Sequence, residues 1–126
     1  MKIENIKFKA KRLDNGEWII GSFVVMKIPA LSKTTIGIVA AGNATLHEID
    51  PSTVCQFTGL KDCEGKEIWE GDIVEREIYD LFKGSAKVKA VIEYLDGAFV
   101  AITDGIPYSL YFKYITVIGN KFDKEK

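Results

Sequence analysis

The chain has 126 residues, 47% of them hydrophobic and 28% charged, a balance typical of soluble globular domains and unlike that of disordered or fibrous chains. Seventeen basic and eighteen acidic residues leave a formal charge of −1, too little to draw the molecule to polyphosphate over long range. No apolar stretch follows Met1 to Asn5, and Trp18 to Met26, the most hydrophobic segment, is far shorter than the ~20 residues of a membrane-spanning helix. The composition therefore describes a cytoplasmic protein, neither exported nor membrane-embedded, with one core, at most one small extra lobe and no need of a disulfide framework.

Ile6 to Lys11 alternates apolar Ile6, Phe8 and Ala10 with three lysines, the period of a half-buried strand. Asn15-Gly16 is a favoured pair for a two-residue reversal, and Trp18 to Val25 is the returning strand; Gly21-Ser22 inside it suggests a bulge or weak pairing. Residues 26–44 are interrupted by Pro29, Gly37 and Gly42 and read equally well as an irregular strand or a loop. The pattern changes near Asp50-Pro51, which divides a β-rich region, 1–50, from a second region, 51–120, and a charged tail, 121–126. Short helical windows are predicted over Glu75 to Lys83 and Pro51 to Gln56. Ala86 to Tyr94, the turn Asp96-Gly97 and Ala98 to Thr103 form the clearest hairpin, with Val88, Ala90 and Ile92 on its apolar face. Turn signals also stand at Asp104-Gly105 and Gly119-Asn120.

Residues 54–74 read Val-Cys-Gln-Phe-Thr-Gly-Leu-Lys-Asp-Cys-Glu-Gly-Lys-Glu-Ile-Trp-Glu-Gly-Asp-Ile-Val. Here Glu64-Gly65 reverses the chain, Ile68, Ile73 and Val74 are candidates to face inward, and Glu70-Gly71-Asp72 makes a polar corner. This stretch, with Thr53 before it, closely resembles the signature of the YopX family of phage and prophage proteins, whose pattern runs through Thr58, Gly59, Leu60, Asp62, Gly65, Glu70, Gly71 and Asp72. Ile6 to Ala10 with Gly16 to Ile19, and Val117 to Asn120, look like the family's opening and closing segments. The chain departs from the family's pattern at Lys9, where arginine is common, at Cys55 and Cys63, and after Phe122. The resemblance implies a mainly β protein: an SH3-like small β-barrel over roughly 50–120, with the N-terminal hairpin region packed beside it. It implies no activity, and the signature residues carry no assigned role.

No constellation of catalytic residues stands out. Asp62, Glu64, Glu67, Glu70 and Asp72 invite a metal or acid/base reading, but a calcium loop with Gly65 at its sixth position would begin at Leu60, which offers no side-chain oxygen; solvated turn carboxylates explain the run more simply. Cys55 and Cys63 match no common zinc or redox spacing and read as free thiols, and His47 is the only imidazole available to either. Tyr108, Tyr111, Phe112 and Tyr114 near Lys113 and Lys121 would suit a nucleic-acid-binding barrel, although a sequence pI near 5.9 lacks the basic footprint. The expectation is a phage accessory protein that is not an enzyme, needs no cofactor or metal, and works by binding a protein partner or itself; a nucleic-acid-binding barrel is the alternative, and a carboxylate-dependent enzyme a remote third.

Overall fold

The computed structural model describes residues 2–40, 42, 44–82, 84–110 and 115–123. Among them the chain is mainly β: eleven strands in two antiparallel sheets, with short 3-10 turns as its only helical structure. It divides into two compact units, Met1–Phe57 and Thr58–Lys126, the division falling inside β5 (Cys55–Lys61).

In the first unit, β1 (Phe8–Lys11) pairs with β2 (Trp18–Ile28), β2 with β3 (Lys33–Ala40), and β3 with β4 (Leu46–Glu48), while β5 lies on the other side of β1. The alternation read in Ile6 to Lys11 holds from Phe8 on, whereas Ile6 lies before β1 and is exposed: Ala10 is fully buried with Ile38 and Ile49, and Phe8, Ile19, Phe23, Ile36 and Val54 pack around them. The β1–β2 reversal is longer than the predicted two-residue turn. Arg12 N–H donates to Glu17 O at 2.9 Å and Gly16 N–H to Arg12 O at 2.9 Å, so four residues turn the chain, and the Asn15 carboxamide accepts from Glu17 N–H. No bulge occurs at Gly21. The ladder runs unbroken through Gly21↔Ala40 and Ser22↔Val39, and a Cβ at Gly21 would sit 2.1 Å from the Val39 carbonyl oxygen, so the glycine is there for close approach of backbone.

The uncertain stretch 26–44 resolves into the end of β2, a 3-10 turn over Pro29–Leu31 and all of β3; Ala41 and Asn43 lie outside the described residues. Beyond β4 the chain bends toward β1. Ile49 N–H still reaches Ile36 O at 3.3 Å, but Leu13 N–H donates to Glu48 O and Asp50 N–H to Lys11 O, bridging Arg12 to Ile49. Asp50 then accepts from Ser52 N–H and caps the 3-10 turn Pro51–Thr53, the remnant of the predicted Pro51 to Gln56 helix.

In the second unit β6 (Glu67–Trp69) pairs with β5, and the other sheet has the order β10-β9-β8-β7-β11. Its strands are β7 (Asp72–Asp80), β8 (Gly84–Leu95), β9 (Ala98–Thr103), β10 (Ile106–Ser109) and β11 (Thr116–Asn120). The predicted Glu75 to Lys83 helix is mostly β7 instead: Glu75, Arg76 and Glu77 face Lys89, Val88 and Lys87 across an antiparallel ladder, and the 2-residue period puts Val74 and Arg76 inward. The clearest predicted hairpin is β8–β9, closed at Asp96 and Gly97, both at positive φ. Ile68, Val74, Ala90, Ile92, Ala101, Ile115 and Val117 form the core, with Phe99 and Leu110 against it.

Neither sheet closes into a barrel. Of the segment between β10 and β11, Leu110 to Ile115, residues 111–114 lie outside the described residues. Two strands separate β7 from β10, and across them the Arg76 guanidinium carbon lies 3.9 Å from the centre of the Tyr108 ring. That stacking seats a buried cation on a π face.

Ile92 is fully buried at the centre of this core, so Ile92→Ala should cost about 2–5 kcal/mol. Chemical denaturation followed by intrinsic fluorescence checks it; a loss below about 0.5 kcal/mol would contradict this packing.

Candidate functional site

The signature residues converge on two buried carboxylates. Asp62 directly follows β5, and its backbone N–H donates to Lys66 O at 2.8 Å, closing the β5–β6 reversal. Its carboxylate accepts three main-chain N–H bonds: Glu64 at 2.9 Å and Lys66 at 2.8 Å on Oδ1, Val117 at 2.9 Å on Oδ2. One side chain thus shapes the turn and fastens β11 to it. Burial works to raise the Asp62 carboxyl, but the N–H groups of Val117, Lys66 and Glu64, with the charge of Lys66, outweigh it and hold the group below the ordinary 3.8.

Asp72 makes the second staple. Its Oδ2 accepts from Trp69 N–H at 2.8 Å, closing the Glu70-Gly71 corner, and its Oδ1 accepts from Asn120 Nδ2 at 2.9 Å. Asn120 in turn accepts from Phe122 N–H at 2.9 Å, so the corner holds the end of β11 and the chain beyond it. Gly71, buried at φ +83, sits between these groups; its N–H donates to Ile92 O at 2.7 Å and its carbonyl accepts from Lys121 N–H at 2.9 Å. That backbone conformation favours glycine.

Of the other signature residues, Thr58, Gly59 and Gly65 shape the β5–β6 reversal. Thr58 Oγ1 donates to Ile68 O at 2.7 Å and accepts from Leu60 N–H, tying β5 to β6. Gly59 and Gly65 both lie at positive φ, and Leu60 is exposed. Glu64 is exposed and Glu67 and Glu70 half-buried. The solvated-carboxylate reading therefore fails for Asp62 and Asp72, which are 8% and 3% exposed. Their oxygens are occupied by N–H donors, the arrangement of a fold-building element.

Neither cysteine is joined in a disulfide. Cys55 is buried with its thiol donating to Thr53 O at 3.3 Å, whereas Cys63 is exposed, its Sγ 3.5 Å from Thr116 Oγ1. His47 lines a cleft of about 240 Å³ with Leu13, Asp14, Leu46 and Glu48, and neither cysteine lines that cleft. Among the described residues no group of three or more His, Cys, Asp or Glu side chains is placed to hold a metal ion. Of the aromatic set, Tyr108 lies beneath Arg76, and Tyr111, Phe112, Lys113 and Tyr114 lie outside the described residues. Sequence reasoning passed over Asn120 and Arg76. The turn signal at Gly119-Asn120 marked the first position but not its carboxylate partner, and nothing in the local pattern marked an inward-facing arginine.

Two antiparallel sheets, a C-terminal hydrophobic core and a signature rich in backbone staples define a mainly β protein several of whose marker residues build its fold. The chain belongs to the YopX family: the family model, described as YopX protein, matches residues 7–125. Its fold is similar to the crystal structure of protein EF1440 from Enterococcus faecalis, with a TM-score of 0.50 and 23% identity over 91% of this chain and 92% of that chain. No curated protein matches it. Among the described residues, no helix is long and apolar enough to cross a membrane.

Because Asp62 titrates lower in the folded chain than in the unfolded one, its stabilisation is present in full above the unfolded value and is lost as pH falls through the folded one. Asp62→Asn sets an amide NH₂ against donors that need an acceptor and should cost about 1–3 kcal/mol at neutral pH. The gap from wild type should narrow as pH drops below 3.8. Urea titrations at several pH values test this; a gap independent of pH would contradict the assignment.

Proposed function

We propose that this chain is a non-catalytic protein-binding module, an accessory protein of a phage or prophage acting in the host cytoplasm, and that the β7–β8 hairpin tip is its contact element. The exposure of that tip carries the reading: Tyr79, Leu81 and Phe82 are 73%, 84% and 96% exposed. Together they offer on the order of 500 Å² of largely apolar surface, the size of a functional patch on a monomer. Chemistry is the weaker reading, since the signature carboxylates are committed to N–H donors within the fold.

An edge strand is a less suitable contact in the second unit. Pro107 stands opposite Ile102, a position that alternates outward from the Asp104-Gly105 turn, so β10 has no N–H to offer there. The SH3-like small barrel remains our reading of that unit's architecture, supported by the Arg76–Tyr108 stack, which joins β7 to β10 across two intervening strands.

The nucleic-acid alternative draws its support from a lysine and aromatic face in the first unit, where Lys9 and Lys11 lie 4.7 and 5.4 Å from the Trp18 ring centre and Lys7 lies 4.7 Å from that of Phe57. These contacts favour the protein-binding reading instead: the ammonium groups occupy ring faces that a stacking base would need.

The test is affinity capture from bacterial host lysate, with light scattering of the purified chain, for wild type and for a Leu81→Ser/Phe82→Ser double variant. The reading predicts a specific partner or a concentration-dependent oligomer that the variant loses, with unfolding stability changed by less than about 0.5 kcal/mol. A monomeric wild type without a specific partner, or a variant that keeps the same partner, would overturn it.

A further inference from the structure

β3 runs on past β4 and its edge is open at Thr34, and the register shows why. Residues opposite one another across β3 and β4 follow Gly37↔Glu48, Ile38↔His47 and Val39↔Leu46, and Ile49 N–H to Ile36 O continues the same register by one step. Main-chain groups in an antiparallel strand alternate sides, so Thr34, two residues before Ile36, also turns its N–H and C=O away from β2. The residue due opposite Thr34 in this register is Pro51, which has no N–H and opens a 3-10 turn that carries the chain away toward β5. The space it leaves is a cleft of about 310 Å³ lined by Leu13, Lys33, Thr34, Ile36, Ile49 and Pro51 among others.

We infer that the β3 edge at Thr34 is a strand-addition site for an extended peptide segment of a partner protein, one that carries an apolar side chain beside an acidic one. Only a polypeptide in extended form supplies a donor and an acceptor spaced to meet Thr34 N–H and C=O together. The exposed Leu13 and the apolar floor of Ile36, Ile49 and Pro51 take the apolar side chain. Charge selects its neighbour: Lys33 sits on the edge itself, and Lys27 flanks Thr34 across the β2–β3 ladder. The single carboxylate opposing them, Glu48, pairs with Lys33 at 4.0 Å with both side chains more than half exposed, and such a pair is readily exchanged. A residue facing Lys33 on an added strand lies within cross-strand pairing distance, so an acidic one is favoured there. This site lies in the first unit and goes beyond the hairpin-tip contact, sharing with it only the protein-binding reading.

The test selects a displayed library of random heptapeptides on the full chain, then titrates the recovered peptides against wild type, Thr34→Pro, Lys33→Glu and Leu81→Ser/Phe82→Ser. Peptides with an acidic residue next to an apolar one should be enriched. Thr34→Pro should weaken them about tenfold, the equivalent of one main-chain hydrogen bond, and Lys33→Glu should weaken the acidic ones selectively, while the hairpin-tip variant binds as wild type does. Proline fits where an edge N–H faces solvent; should that variant misfold, slowed exchange of the Thr34 amide in wild type on adding peptide is the second readout. Recovery of no acidic-apolar peptide, equal binding by Thr34→Pro, or an unchanged Thr34 amide overturns the site. Loss of binding in the hairpin-tip variant alone would place the recovered peptides at the other contact, which also overturns it.

Discussion

Two aspartate carboxylates taking main-chain N–H groups out of reach of water are the constraint on which the second unit rests. A strand such as β11 leaves donors along its length, and each buried donor without a partner is costly. Asp62 answers one of them, Val117 N–H, and at the same time two donors of its own turn; Asp72 answers Trp69 N–H and holds the Asn120 carboxamide. Both are charge-assisted bonds in a protected setting, stronger than neutral ones. Asp62 comes 55 and Asp72 48 residues before the position it secures, so they join the first strands of the unit to its last. This topology gives Asp62, Gly71 and Asp72 of the sequence signature a structural role.

The same reasoning separates what the sequence made legible from what it concealed. Alternation in Phe8 to Lys11 and in Val88 to Ile92, and the Asp-Gly pairs at 96–97 and 104–105, are local signals of strands and tight turns, and the structure realises them. Glu75 to Lys83 misled because charged residues at short intervals also suit a helix; the ladder with β8, a non-local fact, decided for strand. Gly21 misled because a glycine that weakens a strand and one that admits a close neighbour look alike until the Val39 carbonyl is in place. The acidic run at 62–72 was correctly located, but its burial depends on β11, nearly fifty residues further on, and no local pattern carries that.

Proline and loop placement bear on how the molecule meets others. Pro107 blunts β10, while Pro51 ends the β3–β4 pairing early and leaves Thr34 open. The apolar side chains Tyr79, Leu81 and Phe82 are carried on a hairpin whose root, Val74 and Arg76, is locked into the core. A rigid base with an exposed apolar end suits a recognition element, because little ordering entropy is lost when the end is covered.

The central claim, that Asp62 fastens β11 through Val117, is tested most directly by amide hydrogen exchange at Val117 in wild type and in Asp62→Asn. The account predicts that Val117 in wild type exchanges only through global unfolding, and that the variant exposes Val117, Glu64 and Lys66 amides through local opening while Ile92 stays protected. Rapid exchange of Val117 in wild type, or unaltered protection in the variant, would contradict it.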